Sequence, residues 1–385
     1  MFNLKEELEN LETKGLKRSL SLLESNQAEE IIINGKDCLN LCSNNYLGLA
    51  GDPRLKEAAI KAIHEYGLGA ASSRLVCGNN VLYQILEDKI AQFKGTEAAL
   101  VFNSGYTANL GIIQSLAGDK DIVLSDKLNH ASIIDGIILS QARFKRYPHK
   151  DLSILEADLR QSQDFRRRLI ITDTVFSMDG DIAPLAEIVG LAQKYNAEVM
   201  VDEAHATGIF GDNGAGIVEH LNLKNAISIQ MGTLSKAMGG LGAYVCADKA
   251  TIDYFINKAR SLIYTTSLPP AILAASIKAI EIIQQEPERR RVLLENAEFM
   301  RNGLNAIGLN TLDSQSPIIP VVLTDALEFS RRLFDEGIFC QAIRPPTVPQ
   351  NSSRLRVTVM ATHKKGQLEF ALEKIKKVAK NLGVI

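Results

Sequence analysis

Apolar residues in the middle of the chain fall into short runs that are separated by stretches with helical periodicity. Most of these runs end in a polar residue or a glycine. Such alternation predicts an α/β fold with a largely parallel sheet, in which the carboxyl ends of the strands gather ligand-binding groups. The predicted strands are ALVFNSG (99–105), DIVLSD (121–126), RLIITD (168–173), AEVMVDEAH (197–205), AISIQMG (226–232) and AYVCAD (243–248).

The pattern changes near residue 271. A long helical stretch, AILAASIKAIEIIQQ, precedes a different set of strands, IIPVVL, IFCQAI and RLRVTVM, with helices predicted at 325–336 and 366–381. These elements predict a small α+β domain. We therefore expect an N-terminal helix and hairpin segment over 1–45, a large α/β domain over 46–275 and a small C-terminal α+β domain over 276–385.

The first 45 residues combine a charged amphipathic helix with IIINGKDCLNL, in which Asn34-Gly35 separates two apolar runs. Asn-Gly supplies the positive φ angles of a tight turn, so this segment predicts a β-hairpin. The N-terminal helix has no apolar core of the kind found in signal peptides. No stretch of the chain reaches the roughly 18 uninterrupted apolar residues of a membrane-spanning helix.

Composition narrows the class of protein further. Hydrophobic residues make up 46% and charged residues 23%, with a net charge of -2, which is typical of a compact protein and argues against nucleic-acid binding. Five cysteines are scattered, and only Cys38 and Cys42 lie close together. We therefore expect no metal site and a reducing, cytoplasmic setting.

Three motifs could carry chemistry, and the first is VMVDEAHATG. Asp202 follows an apolar strand, and His205 lies three residues further on. The acid could hold a positive charge on a ligand while the histidine contacts a nearby oxygen. The alternative is a capping aspartate beside an ordinary surface histidine.

The second motif is MGTLSKAMGG, in which Lys236 follows a strand and precedes a glycine-rich turn. Lysine is normally exposed. A lysine among small residues in an apolar segment could instead be desolvated, which lowers its pKa and suits Schiff-base chemistry. The hydroxyls of Thr233 and Ser235 could contact a phosphate.

The third motif is FNSGYTANLGII, a strand followed by Ser104-Gly105-Tyr106 and a helix. The first turn of a helix has unpaired N–H groups that favour an anion such as phosphate. The alternative is a plain connection between a strand and a helix.

Taken in order, longer segments of the chain resemble the α-oxoamine synthases, a branch of the fold-type I pyridoxal-phosphate enzymes. The resemblance runs from about residue 15 to the C-terminus. It implies a large domain with a mostly parallel sheet, a small α+β domain and pyridoxal 5′-phosphate as cofactor. The matching segments are SNNYLGL (43–49), SRLVCGNN (73–80), FNSGYTAN (102–109), LNHASIIDGI (128–137), TDTVFSMDGDIAPL (172–185), VDEAHATGIFG (201–211), MGTLSKAMGG (231–240), RSLIYTTSLPP (260–270) and RPPTVP (344–349).

The resemblance assigns roles around the cofactor ring. Lys236 would hold the cofactor as a Schiff base, and Asp202 would pair with the pyridinium nitrogen. His205 would hydrogen-bond the phenolic oxygen, with Ser177 nearby. His130 would stack on the outer face of the ring, and whether it also acts as an acid stays open.

Further positions match the family's phosphate and substrate contacts. Expected near the phosphate are Gly105, Tyr106 and Thr233, with Thr265, Thr266 and Ser267 supplied by a dimer partner. Arg356 would bind the amino acid carboxylate, assisted by Asn44, while Arg18 and Thr347 match positions associated with the acyl substrate. Lys150 stands where the family more often has asparagine.

The resemblance also implies an activity. DEAHATG, LSKAMGG, IYTTSLPP and RPPTVP are most similar to the branch that condenses L-alanine with a pimeloyl thioester, on coenzyme A or acyl carrier protein, in biotin synthesis. That reaction makes the chain an acyltransferase and a homodimer with shared active sites. The alternatives are a sister enzyme that uses glycine with acetyl-CoA or another acyl-CoA, an aminotransferase, and an inactive cofactor-binding homologue.

Overall fold

The computed structural model describes residues 2–345, 347–349 and 351–385. Its α-helices are α1 Leu4–Thr13, α2 Pro53–Tyr66, α3 Val81–Lys94, α4 Gly105–Leu116, α5 Ala131–Ser140, α6 Leu152–Arg160, α7 Leu185–Lys194, α8 Ile217–His220, α9 Lys249–Lys258, α10 Arg260–Ile263, α11 Pro270–Gln285, α12 Glu288–Ala306, α13 Ala326–Asp335 and α14 Lys365–Asn381. Its strands are β1 Glu30–Ile33, β2 Lys36–Asn40, β3 Ala98–Phe102, β4 Ile122–Asp126, β5 Arg143–Tyr147, β6 Arg168–Asp173, β7 Glu198–Asp202, β8 Ile229–Thr233, β9 Ala243–Ala247, β10 Ile318–Val322, β11 Ile338–Phe339, β12 Ala342–Ile343 and β13 Arg354–Thr358.

The chain forms two compact units. The larger unit comprises Asn44–Ser177 and Asp181–Leu293. The smaller unit comprises the described residues up to Ser43, Met178–Gly180 and the chain from Leu294 onward. The division predicted from the sequence, at residues 45 and 275, stays a prediction.

The larger unit is built on a seven-stranded sheet with the order β3-β9-β8-β7-β6-β4-β5. Strand β9 runs antiparallel to both β3 and β8, and the other neighbouring pairs are parallel. The predicted α/β class and all six predicted strands are confirmed. Strand β5, RFKRY, escaped prediction because its alternating charged residues lie at the sheet edge and form no apolar run.

Helices cover the sheet, so most of its strands are buried throughout. Strands β4, β6, β8 and β9 have every residue buried. Burial on both faces explains why these strands are nearly continuous apolar runs. The core on one face joins Leu100, Ile112, Val123, Ile133 and Phe255.

The sheet topology brings several polar strand ends to one edge. Strands β4, β6, β7 and β8 are mutually parallel, and Asp173 lies beside Asp202 in register. Strand β3 has the same direction as β8 because each is antiparallel to β9. The carboxyl ends of these strands, and helix α4 after β3, therefore lie along a single edge of the sheet.

The smaller unit contains two three-stranded sheets, β1-β2-β11 and β10-β13-β12. The predicted hairpin is confirmed, since β1 and β2 pair antiparallel across a turn in which Asn34 and Gly35 have φ angles of 49° and 75°. Within the described residues, no helix is both long enough and apolar enough to cross a membrane.

Candidate active site

A cavity of about 140 Å³ opens at the carboxyl edge of the large sheet. It brings together every residue predicted for a catalytic role and every residue predicted to contact the cofactor from the same subunit. The lining residues are Gly105, Tyr106, Asn109, His130, Ser132, Asp173, Val175, Ser177, Asp202, Ala204, His205, Met231, Thr233, Ser235 and Lys236. They are distant in sequence, so the fold assembles this site.

The N-terminus of α4 forms an anion cradle at one side of the cavity. Ser104 caps the helix, and its side chain accepts a hydrogen bond from the Thr107 N–H at 3.2 Å. A Cβ atom at Gly105 would lie 2.8 Å from Thr233 Cγ2, so only glycine lets the helix approach β8 this closely. Thr233 Oγ1 is buried and has no hydrogen-bond partner within the described residues. Unpaired helix N–H groups beside a buried hydroxyl suit a phosphate.

Asp202 and Asp173 form a pair of buried carboxyl groups at adjacent strand ends. The two residues are 5% and 4% exposed. Burial, followed by the negative charge of Asp202, raises the pKa of Asp173 well above its usual range. Two neighbouring buried carboxylates rarely share full ionisation, because the second charge is poorly solvated and repelled. The proton therefore belongs on Asp173.

Asp202 is held by N–H donors on both of its oxygens. Asn109 Nδ2 donates to Oδ2 at 2.9 Å, and the Ala204 N–H donates to Oδ1 at 2.9 Å. Asn109 is fully buried on α4. These bonds fix the orientation of the carboxylate at the end of β7.

His205 lies three residues beyond Asp202 and is buried against Tyr46. Its Nδ1 shares a hydrogen bond of 2.8 Å with the Tyr46 hydroxyl, and the two rings meet edge to face at a centroid distance of 6.1 Å. The Tyr46 hydroxyl also donates to Asn44 Oδ1 at 3.2 Å. Asn44 thus reaches the site residues through Tyr46, although it does not line the cavity.

His130 begins α5 and acts as its N-cap, since its Nδ1 accepts a hydrogen bond from the Ser132 N–H at 3.2 Å. The His130 N–H donates to Asp173 Oδ2 at 3.1 Å. Partial burial of the ring lowers its pKa, Asp202 and Asp135 oppose this decrease, and Lys236 adds a decrease that is smaller than the effect of Asp202. The neutral imidazole is therefore favoured.

Lys236 lies half-buried in the glycine-rich connection between β8 and β9. The connection is closed by a hydrogen bond from the Leu234 N–H to the Gly242 carbonyl at 2.9 Å, and the Gly239 N–H donates to the Lys236 carbonyl at 2.9 Å. Gly239 has a φ angle of 69°, and a Cβ atom there would lie 2.4 Å from the Ala50 nitrogen. Position 239 in the MGG sequence therefore requires glycine, because it lies in a tight turn that holds Lys236 in the cavity.

Several predicted residues do not line the cavity. Thr265, Thr266 and Ser267 lie elsewhere in the larger unit, where Asn103 Nδ2 donates to Thr265 Oγ1 at 3.1 Å. Arg18, Thr347 and Arg356 belong to the smaller unit. Pro346 of the RPPTVP motif lies outside the described residues. The roles assigned to these residues stay predictions.

Four polar residues at or beside the site were not singled out from the sequence. They are Tyr46, Asn109, Ser132 and Asp173, and each lies within one of the matched motifs. Asp173 ends a strand next to the strand that ends in Asp202, which is a signal that could have been used. The partners of the other three depend on contacts between distant parts of the chain.

His149 links two segments of the larger unit through hydrogen bonds from both of its ring nitrogens. Its Nδ1 bonds to Asp126 Oδ1 at 3.0 Å, and its Nε2 bonds to Asp181 Oδ2 at 2.9 Å. Lys150 Nζ donates to the same Asp181 oxygen at 2.8 Å. Although burial opposes the charge, these two carboxylates raise the pKa of His149 to about 9. A charged ring thus joins the end of β4 to the segment that follows Gly180.

This link makes the effect of His149 on stability dependent on pH. Because its folded pKa of about 9 exceeds the ordinary 6.5, its stabilisation is complete below pH 6.5 and is lost as the pH rises through 9. We expect His149→Gln to reduce the free energy of unfolding by at most about 3 kcal/mol at pH 6, and by much less at pH 10. Denaturant unfolding at both values measures the difference. The exposed His64→Gln variant is the control, and a difference that does not vary with pH would contradict the prediction.

Comparison with known proteins agrees with this geometry. The aminotransferase class I and II family model matches residues 36–375. The 8-amino-7-oxononanoate synthases of Geotalea daltonii and Geobacter sulfurreducens are 50% and 48% identical, each covering 98% of both chains. A serine palmitoyltransferase variant from S. paucimobilis, with a bound PLP–myriocin aldimine, superimposes with a TM-score of 0.95 at 34% identity, covering 99% of this chain and 98% of that one. The chain therefore belongs to the class I and II aminotransferase family, in its α-oxoamine synthase branch of pyridoxal-phosphate enzymes.

Proposed function

We propose that this chain condenses L-alanine with a pimeloyl thioester, carried on coenzyme A or acyl carrier protein, to give 8-amino-7-oxononanoate, carbon dioxide and the free thiol. The reaction is a step of biotin biosynthesis. The observation that carries the proposal is the cavity in which Lys236 and Asp202 lie together beside the anion cradle of α4. The choice among reactions of this branch rests on relatives that are about half identical over nearly the whole chain.

The residues of the cavity fit pyridoxal 5′-phosphate. The unpartnered Thr233 hydroxyl and the N–H groups at Gly105 and Tyr106 suit its phosphate. Asp202 suits the ring nitrogen, and Lys236 is the amine that can join the aldehyde. When bound, this cofactor supplies an electron sink for negative charge on the α-carbon of the amino acid.

The two carboxyl groups have different tasks in this proposal. Asp202 would pair with the ring nitrogen of the bound cofactor, while the hydrogen bond from Asn109 holds the orientation of its carboxyl group. Asp173 carries the proton of the pair. Its Oδ2 accepts a hydrogen bond from the backbone N–H of His130, and this bond positions His130. His205 and Ser177 would hold the phenolic oxygen of the ring. His130 would lie against the outer face of the ring.

Lys236 moves the proton. With the cofactor and alanine bound, its amine would take the proton from the α-carbon of alanine. The α-carbon then forms a bond to the thioester carbonyl, and the thiol leaves. The resulting β-keto acid loses its carboxylate as carbon dioxide, and a proton returned to the same carbon gives the amino ketone.

The substrate-binding residues of this proposal are those that match the family's positions. Arg356 binds the alanine carboxylate with help from Asn44, and Arg18 and Thr347 contact the acyl substrate. Charge supports the role of Arg356, because a guanidinium binds carboxylates through two parallel hydrogen bonds.

The protein is proposed to act in the cytoplasm as a homodimer, in which Thr265, Thr266 and Ser267 complete the partner's site. Two observations support a site that a second subunit completes. The cavity of about 140 Å³ is smaller than the roughly 300 Å³ at the low end of small-molecule sites. Apolar side chains are also exposed around the start of α3, namely Leu68, Leu75, Val76 and Ile85. Exposed apolar groups of this kind mark interaction surfaces.

A substrate panel tests the proposed reaction. Purified enzyme with bound cofactor is incubated with L-alanine and pimeloyl-CoA or pimeloyl acyl carrier protein, and we expect an amino ketone with the mass of 8-amino-7-oxononanoate. Parallel reactions pair glycine with acetyl-CoA and serine with palmitoyl-CoA. Preferred turnover of either pair would assign a sister condensation. Pyruvate formed from alanine without thioester consumption would assign an aminotransferase, and no product in any reaction would contradict the proposal.

A further inference from the structure

A continuous hydrogen-bond path joins Asp202 to His130. Asn109 Nδ2 donates to Asp202 Oδ2 at 2.9 Å and to Ser132 Oγ at 2.9 Å. Ser132 Oγ in turn lies 2.8 Å from His130 Nδ1. Asn109 and Ser132 are both fully buried, so water cannot replace these bonds.

The donors along this path have a single consistent direction. Both oxygens of Asp202 accept hydrogen bonds, from Asn109 Nδ2 and from the Ala204 N–H, so the NH2 group of the Asn109 amide points toward Asp202. The NH2 group of Asn109 donates one hydrogen to Asp202 Oδ2 and the other to Ser132 Oγ, so Ser132 Oγ acts as an acceptor in this bond. The Ser132 hydroxyl then has its own hydrogen available for His130 Nδ1.

His130 Nδ1 faces two donors at once. Besides the Ser132 hydroxyl, the Ser132 backbone N–H donates to the same nitrogen at 3.2 Å. A nitrogen that accepts two hydrogen bonds cannot carry a proton of its own. The ring proton of the neutral imidazole must then lie on Nε2.

The position of His130 acts in the same direction. It is the N-cap of α5, a helix of ten residues. Partial positive charge at a helix N-terminus disfavours a protonated imidazole. Asp202 and Asp135 favour the charged ring, whereas burial and Lys236 disfavour it.

We infer that Asn109 and Ser132 are positioning residues that hold His130 as a neutral imidazole with its proton on Nε2, so that His130 offers the cavity a hydrogen-bond donor. This inference rests on the proposed function for its catalytic meaning. A neutral Nε2–H stabilises negative charge that develops on a carbonyl oxygen of the substrate by hydrogen bonding, without surrendering a proton. His130 is then an electrophilic group at the stacking position, and the proton that completes the reaction comes from elsewhere.

Nitrogen NMR of the histidine rings tests the assignment in the purified enzyme with its cofactor. With 15N-labelled histidine, the His130 signals are those that disappear in His130→Gln. We expect a protonated Nε2 and an unprotonated Nδ1 at pH 7. A ring protonated on both nitrogens, or only on Nδ1, would overturn the inference.

Ser132→Ala tests the role of the hydroxyl. It removes one of the two donors to Nδ1, so we expect a larger doubly protonated fraction of His130 at pH 6 and a fall in kcat of roughly 3- to 10-fold. Ser140→Ala is the matched control, since Ser140 is a buried serine of the same helix whose hydroxyl donates to the Ile137 carbonyl. An unchanged His130 spectrum in Ser132→Ala would contradict the proposed role of the hydrogen-bond path.

The NMR spectrum tests the ring assignment and the substrate panel tests the proposed reaction, so either proposal can be contradicted without the other. A protonated Nε2 together with no product from alanine and pimeloyl thioesters would leave the ring assignment standing and remove the proposed reaction. The expected product together with a proton on Nδ1 would do the reverse. The wild-type spectrum decides the tautomer even where a variant does not fold.

Discussion

Enzyme with Lys236→Ala is expected to lose turnover and the covalent cofactor together. The loss in kcat should be at least about 100-fold, the lower end of what a positioned general base contributes, and larger because the covalent attachment is lost as well. The reason is that the half-buried Lys236 is the one lysine that lines the described cavity. Borohydride reduction followed by peptide mapping locates the attached lysine, and the substrate panel measures turnover.

Two further variants separate chemistry from charge. Lys236→Arg keeps a positive charge in the cavity but has no amine that can join an aldehyde. This variant should therefore also lack the covalent adduct between protein and cofactor. Lys127→Ala removes an exposed lysine three residues before His130 and should keep both adduct and turnover. An adduct on another lysine, or an active Lys236→Ala variant, would refute the assignment.

The second large effect is on stability and comes from a buried ion pair behind the site. Lys94 and Glu203 are 1% and 0% exposed, and Lys94 Nζ donates to both the Glu203 carboxylate and the Ala215 carbonyl. Burial alone would lower the pKa of Lys94, but the combined effects of Glu203, Tyr244 and Cys246 outweigh burial and raise that pKa. Glu203 directly follows Asp202, so the pair anchors the end of β7.

Lys94→Met should lower the free energy of unfolding by about 3–5 kcal/mol, because it leaves the Glu203 charge buried without its partner. Thermal or denaturant unfolding of the enzyme with its cofactor measures the loss. Lys94→Met combined with Glu203→Met should recover most of it, since no buried charge remains. Breaking the exposed Lys249–Asp253 pair with Lys249→Met should change little. A Lys94→Met variant as stable as the wild type would contradict the argument.

The elements of the fold were largely predictable because their signal is local. Six apolar runs became strands, and the Asn34-Gly35 turn became the hairpin between β1 and β2. The order of the strands was not predictable in this way. Insertion of β9 between β3 and β8 depends on its antiparallel pairing with β3, which lies more than a hundred residues earlier in the chain. Strand β5 was missed since an edge strand can keep charged residues and still pair.

The same distinction between local and long-range signals applies to the residues of the candidate site. Residues such as Asp202 and Lys236 could be found as candidates because Asp202 ends a strand and Lys236 follows one, and the ends of these strands lie along a shared edge. Their supporting partners could not be found. The Asn109–Asp202 bond spans 93 positions of the chain, and the Tyr46–His205 bond spans 159. No local spacing encodes a contact of that range.

The sequence by itself determined which chemically capable side chains lie at the predicted strand ends, because this follows from residue type and short-range periodicity, whereas their roles came from the resemblance to a family and stay predictions. Only the tertiary structure decided their charges. It favours a proton on Asp173, a neutral His130 and a charged His149. The physical reason is that the charge of a buried group depends on desolvation and on its hydrogen-bond partners, and the fold brings those partners from distant parts of the chain.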